Sequence, residues 1–230
     1  MKKSGNIIVF VNLAFFIVIS ILNFFYQKNG FAFPLKCACS TGFVLMGLAN
    51  VMYVFKMNGI DKRFCILILT GFICAMLGDI FIVYNFIAGA AIFALGHVFF
   101  LFSYQRLKKY RKEDVCISAI LYIVVVGFLL FFPRLNFSSP VLKIVCLIYA
   151  FIICNMLGKA LGNLLSLKNI YAAGIAIGSI LFFFSDLMLC LSKFTDCSKI
   201  TSHLCMGTYY PSLCVLAFSI YLYGKSAKQL

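Results

Sequence analysis

The chain has 230 residues, of which 64% are hydrophobic and only 11% charged. Its mean hydropathy is +1.07. A soluble domain of this length needs far more polar surface, so the composition excludes one. The net charge of +14 invites a nucleic-acid reading. However, the 20 Lys and Arg stand mostly between apolar runs, where a membrane protein places its loops. Anionic lipid headgroups are therefore the expected partner surface, and nucleic acid is not an expected partner.

Apolar runs of about 18 or more residues read as membrane spans, and eight follow one another. The first, 7–25, comes after Lys2 and Lys3. No A-x-A-like cleavage site follows it, so it is expected to stay as a span. The second, 36–55, opens with Cys37 and Cys39. Most of the 11 cysteines lie inside spans, where a thiol behaves as a small apolar group. There is no C-x-x-C pair and no sign of a disulfide framework. The third span, 64–85, carries Gly71, Gly78 and Asp79. The fourth, 88–104, follows a tight turn near Gly89 and carries His97. A basic cluster from Arg106 to Lys112 precedes the fifth, 115–133, and reads as a stop-transfer loop. The sixth covers 141–161. The seventh, 171–192, carries Gly174, Gly178, Ser185 and Asp186. His203 stands at the start of the eighth, 204–223, which contains Tyr209, Tyr210 and a bending Pro211. With no Trp, the 12 Tyr are expected to fill the interfacial belt.

The expected fold is therefore all-α: a polytopic membrane helix bundle of about eight transmembrane helices, with residues 1–230 forming one transmembrane domain. Short loops favour antiparallel neighbours. Loop charge sets the orientation. Lys2, Lys3, Lys56, Lys62, Arg63, Arg106, Lys108, Lys109, Arg111, Lys112, Lys159, Lys168, Lys225 and Lys228 fall on one side. Lys28, Lys36, Arg134, Lys143, Lys193 and Lys199 fall on the other. The side richer in cations holds both termini and should face the cytoplasm. A plasma membrane and an endoplasmic reticulum membrane both fit.

A weak repeat runs through the chain. Gly71, six residues and Gly78-Asp79-Ile80 in span 3 match Gly178, six residues and Ser185-Asp186-Leu187 in span 7. Each is the third span of a four-span half, which gives a parallel 4+4 repeat. The small residues lie on one stripe of each helix and let a neighbouring backbone approach.

Of the six acidic residues, Asp61, Glu113, Asp114 and Asp196 are expected in loops, and Asp79 and Asp186 lie inside spans. A mid-span aspartate costs about 2.5–3.5 kcal/mol on insertion scales, so a functional site is the default reading. The bland alternative is an interhelical hydrogen bond. Both should sit at one depth. His97 returns to the depth of Asp79 across the span 3–4 turn. Beside a carboxylate it is an acid, a base or an orienting group; otherwise it is a packing residue. His203 reads as interfacial. Tyr209 and Tyr210 return to the level of Asp186, where a buried phenol can find a partner. Asp79, Asp186, His97 and His203 form a conceivable zinc set, but no helix carries two of them at i, i+4. No metal or cofactor is expected. Phosphate-loop, H-E-x-x-H and G-x-S-x-G motifs are all missing.

The combination resembles the YhhN family, whose characterised members are lysoplasmalogenases. The matching stretches are Leu77-Gly78-Asp79-Ile80 and Phe93-Ala94-Leu95-Gly96-His97-Val98-Phe99-Phe100. Further on come Gly178-Ser179-Ile180-Leu181-Phe182 leading to Ser185-Asp186-Leu187, then Lys193-Phe194, and Thr208-Tyr209-Tyr210. Fainter matches are Pro34-Leu35-Lys36, Tyr149 and Met156. The family pattern has a Gln shortly after the span 8 tyrosine, where this chain has Pro211-Ser212-Leu213. The resemblance implies hydrolysis of the vinyl ether of a lysoplasmalogen, a lysophospholipid, to a fatty aldehyde and a glycerophospho-alcohol. It points to Asp79 and Asp186 as the acid–base pair, His97 and Tyr210 as orienting groups, and Tyr209, Lys193 and Lys199 as substrate contacts. Three rival classes remain open. Mid-span acids and repeats also suit a proton-coupled transporter. An intramembrane aspartyl protease pairs span aspartates, one of them in G-x-G-D, but Met76-Leu77-Gly78-Asp79 lacks the first glycine. A lipid-binding protein without catalysis is the third.

Overall fold

The computed structural model describes residues 2–227, with the side chains of 2–4 left out, so Lys2, Lys3 and Lys228 of the charge count lie outside the described side chains. Eight helices follow in order: α1 (Lys2–Lys28), α2 (Phe33–Val54), α3 (Lys62–Tyr84), α4 (Phe86–Leu107), α5 (Lys112–Phe131), α6 (Pro140–Leu167), α7 (Ile170–Phe194) and α8 (Ser198–Ala227). All eight are long and apolar enough to cross a membrane. The chain is an integral, multi-pass membrane protein. We call the end where α1 begins and α8 ends the base, and the opposite end the mouth.

Local chemistry sets the helix starts. Asp61 caps α3 by accepting from the Arg63 and Phe64 amides, and Asn169 caps α7 by accepting from Ala172. Ser139 caps α6 just before Pro140, a residue already shaped for the first turn. A single residue, Asn85, ends α3 and caps α4. The hairpin it makes is so tight that a side chain at Gly89 would collide with the Ile82 backbone. The small-residue stripes behave alike in both halves. The Phe93 ring lies against Gly78, and the Leu216 side chain lies against Gly178.

Packing follows the repeat. In the first half α1 packs on α2, α2 on α3 and α3 on α4; in the second, α5 packs on α6, α6 on α7 and α7 on α8. The halves meet through α2 with α8 and through α4 with α6, two interfaces that exchange under the repeat. One interface breaks the symmetry. Helix α1 packs on α8, where Asn23 donates to the Met206 carbonyl (3.0 Å) and His203 meets Gln27 (2.8 Å). Among the described residues no comparable interface joins α5 to α4. The fully buried rings of Phe43, Phe72, Phe100, Tyr104, Phe182 and Tyr210 fill the middle.

The expected helix edges fall short, mostly at the base. Helix α6 runs to Leu167 rather than to 161, and α5 starts at Lys112. This changes the account of two charges assigned to loops. Lys159 and Asp114 are both inside helices, fully buried and paired at 2.7 Å. The ammonium also donates to the Lys109 carbonyl (3.1 Å), and Arg111 donates to Asp114 (3.3 Å) and to the Gly162 carbonyl (3.0 Å). A buried ion is tolerated when its charge and hydrogen bonds are met in this way. Lys36 is a second correction: it is not a loop cation but a buried residue in the first turn of α2.

Candidate active site

Asp79 and Asp186 come from α3 and α7, both helices run from base to mouth, and both carboxylates line one cleft of about 230 Å³ that opens toward the mouth. Their surroundings differ. The Asp79 side chain is 2% exposed and has the Lys36 ammonium at 3.2 Å. One of its oxygens accepts from the Ser40 hydroxyl (2.5 Å) and the Tyr209 phenol (2.9 Å). The Asp186 side chain is 9% exposed and has no Lys or Arg partner. Its Oδ2 accepts from Tyr149 (2.7 Å) and lies 3.0 Å from His97 Nε2, which is also 2.8 Å from the Tyr149 hydroxyl.

The other face of the imidazole meets sulfur. His97 Nδ1 lies 3.3 Å from the Met156 thioether, which can only accept, a contact that suits a hydrogen on Nδ1. A bare Nε2 facing an ionised carboxylate at 3.0 Å would set two lone pairs against each other. A hydrogen on Nε2 or on the carboxyl oxygen makes that contact a hydrogen bond, and the Tyr149 hydroxyl reaches both atoms. His97 is fully buried, and the Phe182 ring lies 4.7 Å away.

The helices cross-pair the halves. His97, in the first half, serves Asp186 in the second, and Tyr209, in the second half, serves Asp79 in the first. The turn-based expectation had His97 beside Asp79 and the tyrosines beside Asp186. Hairpin depth was right, but α4 packs on α6 and α8 on α2, so each side chain faces across the bundle. Tyr210 touches neither carboxylate: its hydroxyl donates to the Lys36 carbonyl at 3.5 Å. Lys193 is exposed at the mouth, lines the cleft and sits 5.5 Å above the Phe86 ring. Lys199 is exposed in the first turn of α8 and does not line the cleft. His203 is engaged with Gln27 and Phe31.

In the sequence reading Lys36 counted as a loop cation, Lys36 and Tyr149 were faint family matches without a site role, and Ser40 did not enter. Lys36 and Tyr149 left a signal, a cation and a phenol within otherwise apolar helical stretches. Ser40 left none, since a span serine usually bonds its own helix, as this one also does with the Lys36 carbonyl.

The sequence profile of the YhhN family matches residues 32–220. The chain belongs to the YhhN family. The match covers Lys36, Ser40, Asp79, His97, Tyr149, Asp186 and Tyr209, so every group on the two carboxylates lies within the part this YhhN protein shares with its family. No curated protein and no solved structure matches the chain.

Proposed function

We propose that this protein hydrolyses the vinyl ether of lysoplasmalogens, releasing a fatty aldehyde and a glycerophospho-alcohol. The observation that carries this reading is the pair of unlike carboxylates on one cleft: Asp186 3.0 Å from the His97 imidazole, and Asp79 3.2 Å from the Lys36 ammonium. Vinyl ethers are cleaved through an oxocarbenium ion, and glycoside hydrolases meet a related cation with two carboxyl groups of opposite duty.

The Asp186–His97 pair supplies the proton. It goes to the alkene carbon remote from the ether oxygen, and the π electrons form the new C–H bond. The carbon that carries the oxygen becomes an oxocarbenium ion facing Asp79. Water adds there and gives up a proton to Asp79, forming a hemiacetal. The hemiacetal collapses: its hydroxyl proton passes to the Asp186–His97 pair, the bond to the glycerol oxygen breaks, that oxygen takes the proton held by Asp79, and the aldehyde leaves, restoring both groups. Tyr149 orients Asp186, while Ser40 and Tyr209 orient Asp79. Lys193 at the mouth is positioned for the substrate phosphate, ahead of Lys199. The loop charges assign the base to the cytoplasm, so the mouth opens on the other face.

The test is incubation of purified protein in detergent, without any gradient, with an alkenyl lysophospholipid and its saturated ether analogue. The vinyl ether alone should yield aldehyde. Release from neither lipid, or from both, would reject the reading; a transporter would release from neither.

A further inference from the structure

Beside the cleft lies a second, narrow space of about 70 Å³ with a different character. Its walls come from α4, α5, α6 and α7, and apart from two thiols its only polar side chains are Tyr149 and Asp186. It shares Phe86, Phe93, Asp186 and Leu189 with the polar cleft, so the two spaces meet at the catalytic carboxylate. The far wall is Val125 and Leu129 of α5. This is where the repeat is broken. Where α1 is bonded to α8 near the mouth, α5 has no matching interface with α4, although the two helices are consecutive.

We infer that the apolar space is the binding site for the hydrocarbon chain of a single-chain lipid, and that the chain slides in from the bilayer between α4 and α5. This deepens the function proposed above and rests on it only for the reaction, not for the lipid. A chain lying against Val125, Leu129 and Ile153 with its first carbons at Tyr149 sets the bond next to the headgroup beside Asp186 and leaves the phosphate in the polar cleft. Apolar transfer supplies the binding, since each methylene buried contributes about 0.8 kcal/mol. Ala90 and Ala150 face the same space, so larger residues there shorten it.

A saturated alkyl-ether lysophosphocholine with a terminal diazirine tests this directly, because it has no bond to cleave. On irradiation with the purified full chain, adducts should fall on α5 and the facing part of α6. Adducts concentrated on α1, α2 or α8, or none above those on heat-denatured protein, would overturn the inference even if vinyl ethers are cleaved. Adducts on α5 with no aldehyde from any alkenyl lysolipid would instead reject the reaction and leave the chain site standing. Ala150→Phe, with Ala90→Phe as a second variant, should cut labelling of α5 by the long-chain probe at least about tenfold relative to a short-chain one, the cost of excluding about two methylenes. An unchanged ratio in either folded variant counts against the site.

Discussion

The two halves of this bundle are built on one plan and finished differently. Each sets an aspartate in the last third of its third helix and brings it partners from the second helix and one from the fourth helix of the other half. Tyr209 and His97 even lie at the same distance into α8 and α4, eleven residues past Ser198 and Phe86. Yet Asp79 receives a cation and two hydroxyls behind a wall closed by α1, whereas Asp186 receives an imidazole and a phenol beside an apolar space that α5 leaves open. Duplication supplies two acids at one depth; the unlike partners give them unlike duties.

The largest effect expected from breaking this contrast lies far from the cleft. Near the base, α1 and α2 are joined by amides, Asn12 with Asn50, and α5 and α6 by ions, Asp114 with Lys159. Lys159→Ala leaves the fully buried Asp114 with only the longer Arg111 contact, so thermal unfolding in detergent should show a loss of about 3–5 kcal/mol. Asn50→Ala removes a neutral pair and should cost less, about 1–3 kcal/mol for the two bonds to Asn12. Equal losses would mean that the Asp114–Lys159 pair carries no real ionic character.

Next come the carboxylates. Asp79→Asn and Asp186→Asn should each lower aldehyde release by at least about a hundredfold, the low end for acid–base catalysis. Stability should separate them. Asp79→Asn leaves the Lys36 ammonium buried without its anion and should lower Tm, while Asp186→Asn keeps a neutral partner for His97 and should leave Tm nearly unchanged. If both variants melted alike, Asp79 and Asp186 would not differ in charge. If either kept full activity, it would not be catalytic.

The fold was open to reading because its signal is local. Eight apolar runs and the two G-D and S-D stretches each lie within one helix. Side-chain pairing was not open in the same way. His97 and Asp186 are 89 positions apart and Tyr209 and Asp79 130, and which carboxylate each finds depends on helices crossing between halves. Charge burial was misread for a related reason. Lys36, Asp114 and Lys159 look like loop ions because hydropathy scores a residue without its partner, and here the partner makes burial tolerable. Asp79 and Asp186 were legible for the opposite reason: each stands in the middle of a run where no loop can be drawn.

The smallest effects concern neighbouring tyrosines. Tyr209 and Tyr210 are adjacent and both buried, so sequence alone does not rank them. Their hydroxyls do. Tyr209→Phe deletes a hydrogen bond to a carboxylate, a class of bond that contributes about 1.5–3 kcal/mol, so activity should fall about tenfold or more. Tyr210→Phe deletes only a long bond to the Lys36 carbonyl, and its ring still packs against Phe43. Its aldehyde release should stay within about twofold of the parent, as expected when a weak neutral bond of well under 1 kcal/mol is lost. If the order reversed, Tyr210 rather than Tyr209 would be the residue that orients Asp79, and the cross-pairing of the two halves would have to be redrawn at α8.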